Sequence, residues 1–138
     1  LTFRSLEPRI FKKLIEQRSW EDLQPEEDLV TRDTDLDSLI LVVDGETEVV
    51  LKHGEHRFIS AGGFIGEQSF ITGSKTSADV STGKEATTIL RWDKENLRTY
   101  MEHNQTLKNT FDLILTSDLI YKLRGMDEEQ NEIIHSRI

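Results

Sequence analysis

Gly62-Gly63-Phe64-Ile65-Gly66-Glu67-Gln68-Ser69-Phe70, followed across a short polar loop by Lys75-Thr76-Ser77-Ala78, is the stretch from which the rest of the chain can be read. A Gly-rich turn that opens a short helix presents backbone N–H groups and a positive dipole end, and the two together bind phosphate. Glu67, just inside the turn, adds a carboxylate. An acceptor beside a phosphate cradle is what a ribose hydroxyl hydrogen-bonds, so the stretch reads as a nucleotide pocket rather than a bare turn.

Upstream of the cassette, from about Trp20, short β-forming segments are broken by Pro25-Glu26-Glu27-Asp28, Asp33-Thr34-Asp35, Asp44-Gly45, His53-Gly54 and Ala61-Gly62-Gly63. Turn signals about every ten residues predict many short antiparallel strands. Leu39 to Val43, Asp44-Gly45 and Thr47 to Leu51 read as a hairpin, because Asp-Gly supplies the positive φ angles of a tight turn. His56 to Ile59 follows as a further strand. Downstream, Ser77 to Ser81 and Ala86 to Trp92 complete a roll or sandwich of roughly eight strands.

Helices flank this β-region. Leu6 to Arg18 has helical apolar spacing through Ile10, Leu14 and Ile15, with Pro8 tolerated in its first turn. Asp93 is an N-cap, and Trp92 with Leu97 forms a hydrophobic staple for a helix reaching about His103. Asn104 breaks or caps that helix. A longer helix then carries Leu107, Phe111, Ile114, Leu115 and Leu119 on one face and ends near Arg124-Gly125. Leu113 and Ile120 form a second apolar stripe, which suits a ligand lid or a partner chain. The expected organisation is one domain over residues 1–138: a helical segment 1–19, a β-roll 20–92 holding the cassette 62–78, two helices within 93–125, and an acidic tail 126–138.

The 138 residues suffice for one core. Lys and Arg total 17 against 26 Asp and Glu, a net charge of -9 that repels nucleic acid and anionic lipid. With no cysteine, a disulfide framework, a thiolate metal site and a thiol nucleophile are all excluded. No run of apolar residues is long enough to cross a bilayer, and no signal peptide opens the chain, so a cytoplasmic setting is the expectation. Leu1 stands where a Met would start a full chain, which points to a fragment whose membrane contact, if any, lies in segments outside it.

The order of helix, β-roll, Gly-Phe-Ile-Gly-Glu cassette and two closing helices resembles the cyclic nucleotide-binding domain family over nearly the whole chain. Phe3 to Phe11 is similar to its entry segment, Asp44-Gly45-Glu46 to its hairpin glycine, and Gly62 to Glu67 with Thr76-Ser77-Ala78 to its phosphate-binding cassette. The resemblance implies cAMP or cGMP as ligand, no metal and no catalysis. It places Phe64, Ile65, Gly66, Glu67, Gln68, Lys75, Thr76, Ser77 and Ala78 at the ligand. The amides of Gly66, Glu67, Ser77 and Ala78 would face the cyclic phosphate, the Glu67 carboxylate the ribose 2′-hydroxyl, and Tyr121 or Leu123 the base. One position departs from the pattern. Binders in this family place an arginine before the serine, and here Thr76 stands there. Lys75 does not reproduce a guanidinium fork. The segment Ile89 to Leu97 and the helix after it also resemble the Popeye-type branch, which lacks that arginine. The alternative implied by the same fold is a ligand-free interaction or dimerisation module, working through the last helix with a second copy or a neighbouring domain.

Other residues have simpler readings. His53 and His56 lack a third ligand and read as surface histidines. Asp33, Asp35 and Asp37 lack the glycine and glutamate of a calcium loop and read as a solvated turn. Trp20 and Trp92 read as core or staple residues. No nucleophile elbow, metal triad or placed carboxylate pair is present, so the chain is not expected to be an enzyme.

Overall fold

The computed structural model describes residues 19–115. Eight strands run in order: β1 (Ser19–Leu23), β2 (Asp28–Val30), β3 (Ser38–Asp44), β4 (Glu46–Leu51), β5 (His56–Ser60), β6 (Phe64–Ile65), β7 (Ala78–Thr82) and β8 (Thr87–Asp93). Helix α1 (Glu67–Thr72) lies between β6 and β7, and α2 (Lys94–Glu102) follows β8. A third helix, α3, occupies 105–115 as far as it is described. The strands form two four-stranded sheets of order β1-β8-β3-β6 and β2-β7-β4-β5. Every pairing is antiparallel. The expected β-roll, with its cassette helix and closing helices, is therefore present.

Strand β3 explains the layering. Its residues from Ser38 to Val42 are all buried, the mark of a strand covered on both faces. Leu39 and Leu41 join Leu90 and Trp92 in a cluster with Leu97, Met101, Leu107 and Phe111, under α2 and α3. Ile40 and Val42 point the other way, into the roll, with Leu23, Val30, Val49, Val80 and Ile89. Sheet β1-β8-β3-β6 is thus a middle layer between helices and the second sheet. The end of β8 launches α2 as expected: Asn96 N–H donates to Asp93 Oδ2 at 2.9 Å, and Trp92 and Leu97 pack in one cluster. Asn104 turns the chain into α3, its Oδ1 accepting from Leu107 N–H at 3.4 Å.

Two expectations are corrected. First, β3 and β4 are not a hairpin, because β3 pairs with β6 and β8 whereas β4 pairs with β5 and β7. At Gly45 the chain passes from one sheet to the other. Gly45 has φ +90°, and a Cβ there would meet Ala86 O and Thr87 Oγ1 at 2.7 Å. The glycine is needed for a crossing pressed against the β7–β8 connection, not for a two-residue turn. Burial explains why: β3 needs cover on both faces, whereas β4 alternates partly exposed Glu46 and Glu48 with buried Thr47 and Val49. The tight hairpin is instead β4–β5, closed at Gly54, where Leu51 N–H donates to Glu55 O at 2.9 Å. Second, Trp20 is 54% exposed rather than in the core. It sits on β1, an edge strand, where a side chain has neighbours on one flank only. Trp92, on central β8, is fully buried as expected. In α3, Leu107, Phe111, Ile114 and Leu115 are buried and Leu113 is 54% exposed. The expected helix before residue 19, the positions Leu119, Ile120, Tyr121 and Leu123, and the acidic tail lie outside the described residues.

Candidate functional site

The cassette begins where β6 ends. Gly66 is the N-cap of α1, at φ 90° and ψ 11°, and no side chain caps the helix. That left-handed conformation favours glycine, and a second constraint agrees: the Leu36 side chain fills the space a Cβ would take, with Ser38 O at 3.3 Å from it. With glycine at the cap, no side chain at that position bonds the first-turn N–H groups of α1, which have no intrahelical partner. Glu67 is the first residue of the helix and only 5% exposed, so its carboxylate is held inside, at the dipole's positive end. Ser69 and Phe70 of the same helix are buried as well.

The far end of the cassette is built differently from its start. Thr76 is 7% exposed, in irregular chain just before β7. Its Oγ1 donates to Thr31 O at 2.6 Å and accepts from Thr34 N–H at 3.0 Å. Its backbone joins the same loop, with Thr76 N–H donating to Thr34 O and Asp33 N–H to Thr76 O, each at 2.9 Å. Asp33 reaches this contact from φ 60°. Residues 31–34 of the β2–β3 connection therefore grip Thr76, and the Leu36 side chain of the same connection packs on Gly66. One loop fastens both ends of the cassette.

The remaining predicted residues divide by side. Ile65 and Ala78 face the interior of the roll in one cluster, whereas Phe64 turns the other way, with its ring edge-on to Phe111 at 6.3 Å. Gln68, Lys75 and Ser77 are exposed. Lys75 is the single basic residue of 62–78, and it points to solvent while its neighbour Thr76 is buried. The site thus offers a helix start and a buried carboxylate, and the one basic residue of the cassette, Lys75, is exposed. Sequence reasoning missed Thr31, Thr34 and Leu36. Only Asp33, Asp35 and Asp37 of this connection draw a reading from sequence, as a solvated turn, and the approach of Thr31 and Thr34 to Thr76 in space is what gives the loop a role.

Other candidates fall away on geometry. His56 pairs with Glu48 across the β4–β5 hairpin. Among the described residues no group of three His, Cys, Asp or Glu could hold a metal ion. Among them also, no helix is long and apolar enough to cross a membrane.

Comparison with known proteins agrees with this architecture. The family model for the cyclic nucleotide-binding domain matches residues 20–104, more than half of the chain. A cyclic nucleotide-binding domain from Methylobacillus flagellatus superposes with a TM-score of 0.81 at 20% identity, covering 90% of this chain and 72% of that one. The catabolite activator protein of Thermus thermophilus superposes with a TM-score of 0.72 at 18% identity, covering 95% of this chain and 62% of that one. No curated protein matches in sequence. With the eight-stranded roll, the glycine-opened cassette helix and the closing helices in place, this chain belongs to the cyclic nucleotide-binding domain family.

Proposed function

We propose that this chain is a non-catalytic regulatory domain whose affinity for cAMP and cGMP is strongly reduced, because Thr76 serves the fold instead of the ligand. The observation that carries the reading is the use of the Thr76 hydroxyl: both its donor and an acceptor site are taken by the β2–β3 loop. Gly66, Glu67, Ser77 and Ala78 keep the parts of the site that backbone amides and a carboxylate supply. What is lost is a charge-assisted contact to phosphate, worth about 2 to 5 kcal/mol when desolvated, or roughly 30-fold to several thousandfold in affinity. A domain of this kind acts in the cytoplasm by changing the geometry of a neighbouring domain. Calorimetry with cAMP and with cGMP tests the reading: dissociation constants at or beyond about 1 mM support it, and micromolar binding overturns it.

A second reading rests on Leu113, a large apolar residue 54% exposed on α3. It fits a module that contacts a second copy or another domain through its closing helix, without ligand. Sedimentation of the purified chain separates the two. Self-association that Leu113→Glu abolishes supports the interaction module, and a monomer at high concentration removes self-association from the account.

A further inference from the structure

Among the described residues, β1 and β6 lie at the edges of one sheet and β2 and β5 at the edges of the other. An edge strand presents N–H and C=O groups with which a further strand pairs, unless the edge is guarded. Three of the four are guarded. β6 has only two residues. β2 has three, interrupted by a register shift between Asp28 and Val30. β1 carries Glu21 and Asp22 side by side, which puts a carboxylate on each of its faces. β5 differs: it has five residues in unbroken register with β4, and none of them is acidic. Its one permanently charged side chain, Arg57, lies opposite Val49 of the roll interior and is already paired with Glu55 Oε1 at 2.7 Å.

The alternation of the ladder fixes which backbone groups of β5 face outward. Leu51 N–H donates to Glu55 O at 2.9 Å, so the hydrogen-bonded pairs that follow along β4 and β5 are 49 with 57 and 47 with 59. The backbone groups of His56, Phe58 and Ser60 therefore point away from β4, and among the described residues no strand stands beside them. The Phe58 side chain is also 59% exposed, more than any other large apolar side chain described.

We propose that β5 is a self-pairing edge, at which two copies of this chain join antiparallel about Phe58 and merge their β2-β7-β4-β5 sheets into one. A second copy is the occupant because the strand is complementary to itself under a two-fold axis. Phe58 meets Phe58 of the other copy, His56 meets Ser60, and Arg57 meets Ile59, so no like charges stand opposite each other. The pairs 58 with 58 and 56 with 60 join groups that already point outward, as a hydrogen-bonded ladder requires. Each His56 is also brought beside a Ser60 hydroxyl that donates to Glu46 Oε2 at 3.3 Å, which sets a carboxylate near the imidazole. Glu48, next to Phe58 on the outer face, is taken up by His56 of its own chain. This contact uses neither the cassette nor Leu113, and so goes beyond both readings above.

Sedimentation of the whole chain across a concentration series tests it, together with amide exchange at Phe58. The wild type is expected to pass from monomer to dimer as concentration rises, and the Phe58 amide to exchange more slowly over the same range. Leu113→Glu is expected to behave as the wild type does. Phe58→Lys sets two like charges across the axis and should weaken dimerisation roughly tenfold or more. Phe58→Pro is the more specific change. It deletes an N–H that bonds nothing on β4, so the monomer keeps its ladder while the central donors of the pairing are lost. Should Phe58→Pro fail to fold, Phe58→Lys at the same exposed position carries the comparison. A wild type that stays monomeric at the highest concentration overturns the proposal. So does a dimer that survives Phe58→Lys, or one that Leu113→Glu abolishes.

Discussion

Thr76→Val is the sharpest perturbation of the cassette, since it keeps the shape of the side chain and deletes one oxygen. In the wild type that oxygen donates to Thr31 O at 2.6 Å and accepts from Thr34 N–H at 3.0 Å. Each bond contributes about 1 kcal/mol net, and each partner left partly buried without a replacement adds to the loss, so the change is expected to destabilise by about 2 to 3 kcal/mol. The backbone bonds between Thr76 and residues 33–34 survive the substitution, which bounds the effect from above. Urea unfolding followed by tryptophan fluorescence measures it, with Trp92 in the core as the reporter. At a slope of about 2 kcal/mol per molar, the midpoint falls by roughly 1 to 1.5 M with the slope unchanged. Thr76→Ser, which keeps the hydroxyl, stays much closer to wild type. A Thr76→Val midpoint equal to the wild-type value refutes the clamp, and nucleotide-dependent recovery of stability in the wild type alone would give Thr76 a ligand role instead.

Three further outcomes follow from the same structure. Thr76→Arg, in which the family's side chain is restored, is expected to fold less stably than wild type because the loop loses its partner, yet cAMP should raise its melting temperature more than it raises that of wild type; affinity increases by about 2 kcal/mol or more, read by calorimetry. Gly45→Ala places a Cβ within 2.7 Å of Ala86 O and Thr87 Oγ1 at φ +90°, so thermal unfolding should show a loss above about 2 kcal/mol, and a neutral result contradicts the sheet-to-sheet crossing. Asp93→Ala removes the acceptor for Asn96 N–H and is expected to lower stability by about 1 kcal/mol in the same assay.

Much of this fold was legible because local chemistry and tertiary context agree. Asp93 with Trp92 and Leu97 marked the start of α2, and the glycines of 62–66 marked the cassette, since each residue does there what it does in isolation. The β3–β4 hairpin misled for a physical reason. Asp-Gly flanked by apolar segments is a local signal, whereas strand pairing is decided by which faces must be covered. The unbroken run Leu39 to Val43 beside the alternating Glu46 to Val49 carried that information, as a two-sided strand next to a one-sided one. Trp20 misled because hydrophobicity does not say whether a strand is central or at an edge.

The candidate site was legible in its backbone parts and hidden in its side-chain parts. Gly66 and Glu67 stand where the motif puts them, one opening the helix and the other buried at its first turn. The role of Thr76 depends on Thr31 and Thr34, which are 45 and 42 residues away in sequence. No periodicity or motif links them.

The β2–β3 loop fastens the cassette at Thr76, and the proposed function rests on that loop standing in for a ligand's phosphate. Amide chemical shifts of Gly66, Glu67, Thr76, Ser77 and Ala78, followed during titration with cAMP and with cGMP, address it most directly. The account predicts shifts that remain small and do not saturate below about 1 mM, with the Thr76 amide still bonded to the loop. Saturation at micromolar nucleotide, with the Thr76 amide displaced from Thr34, would contradict it.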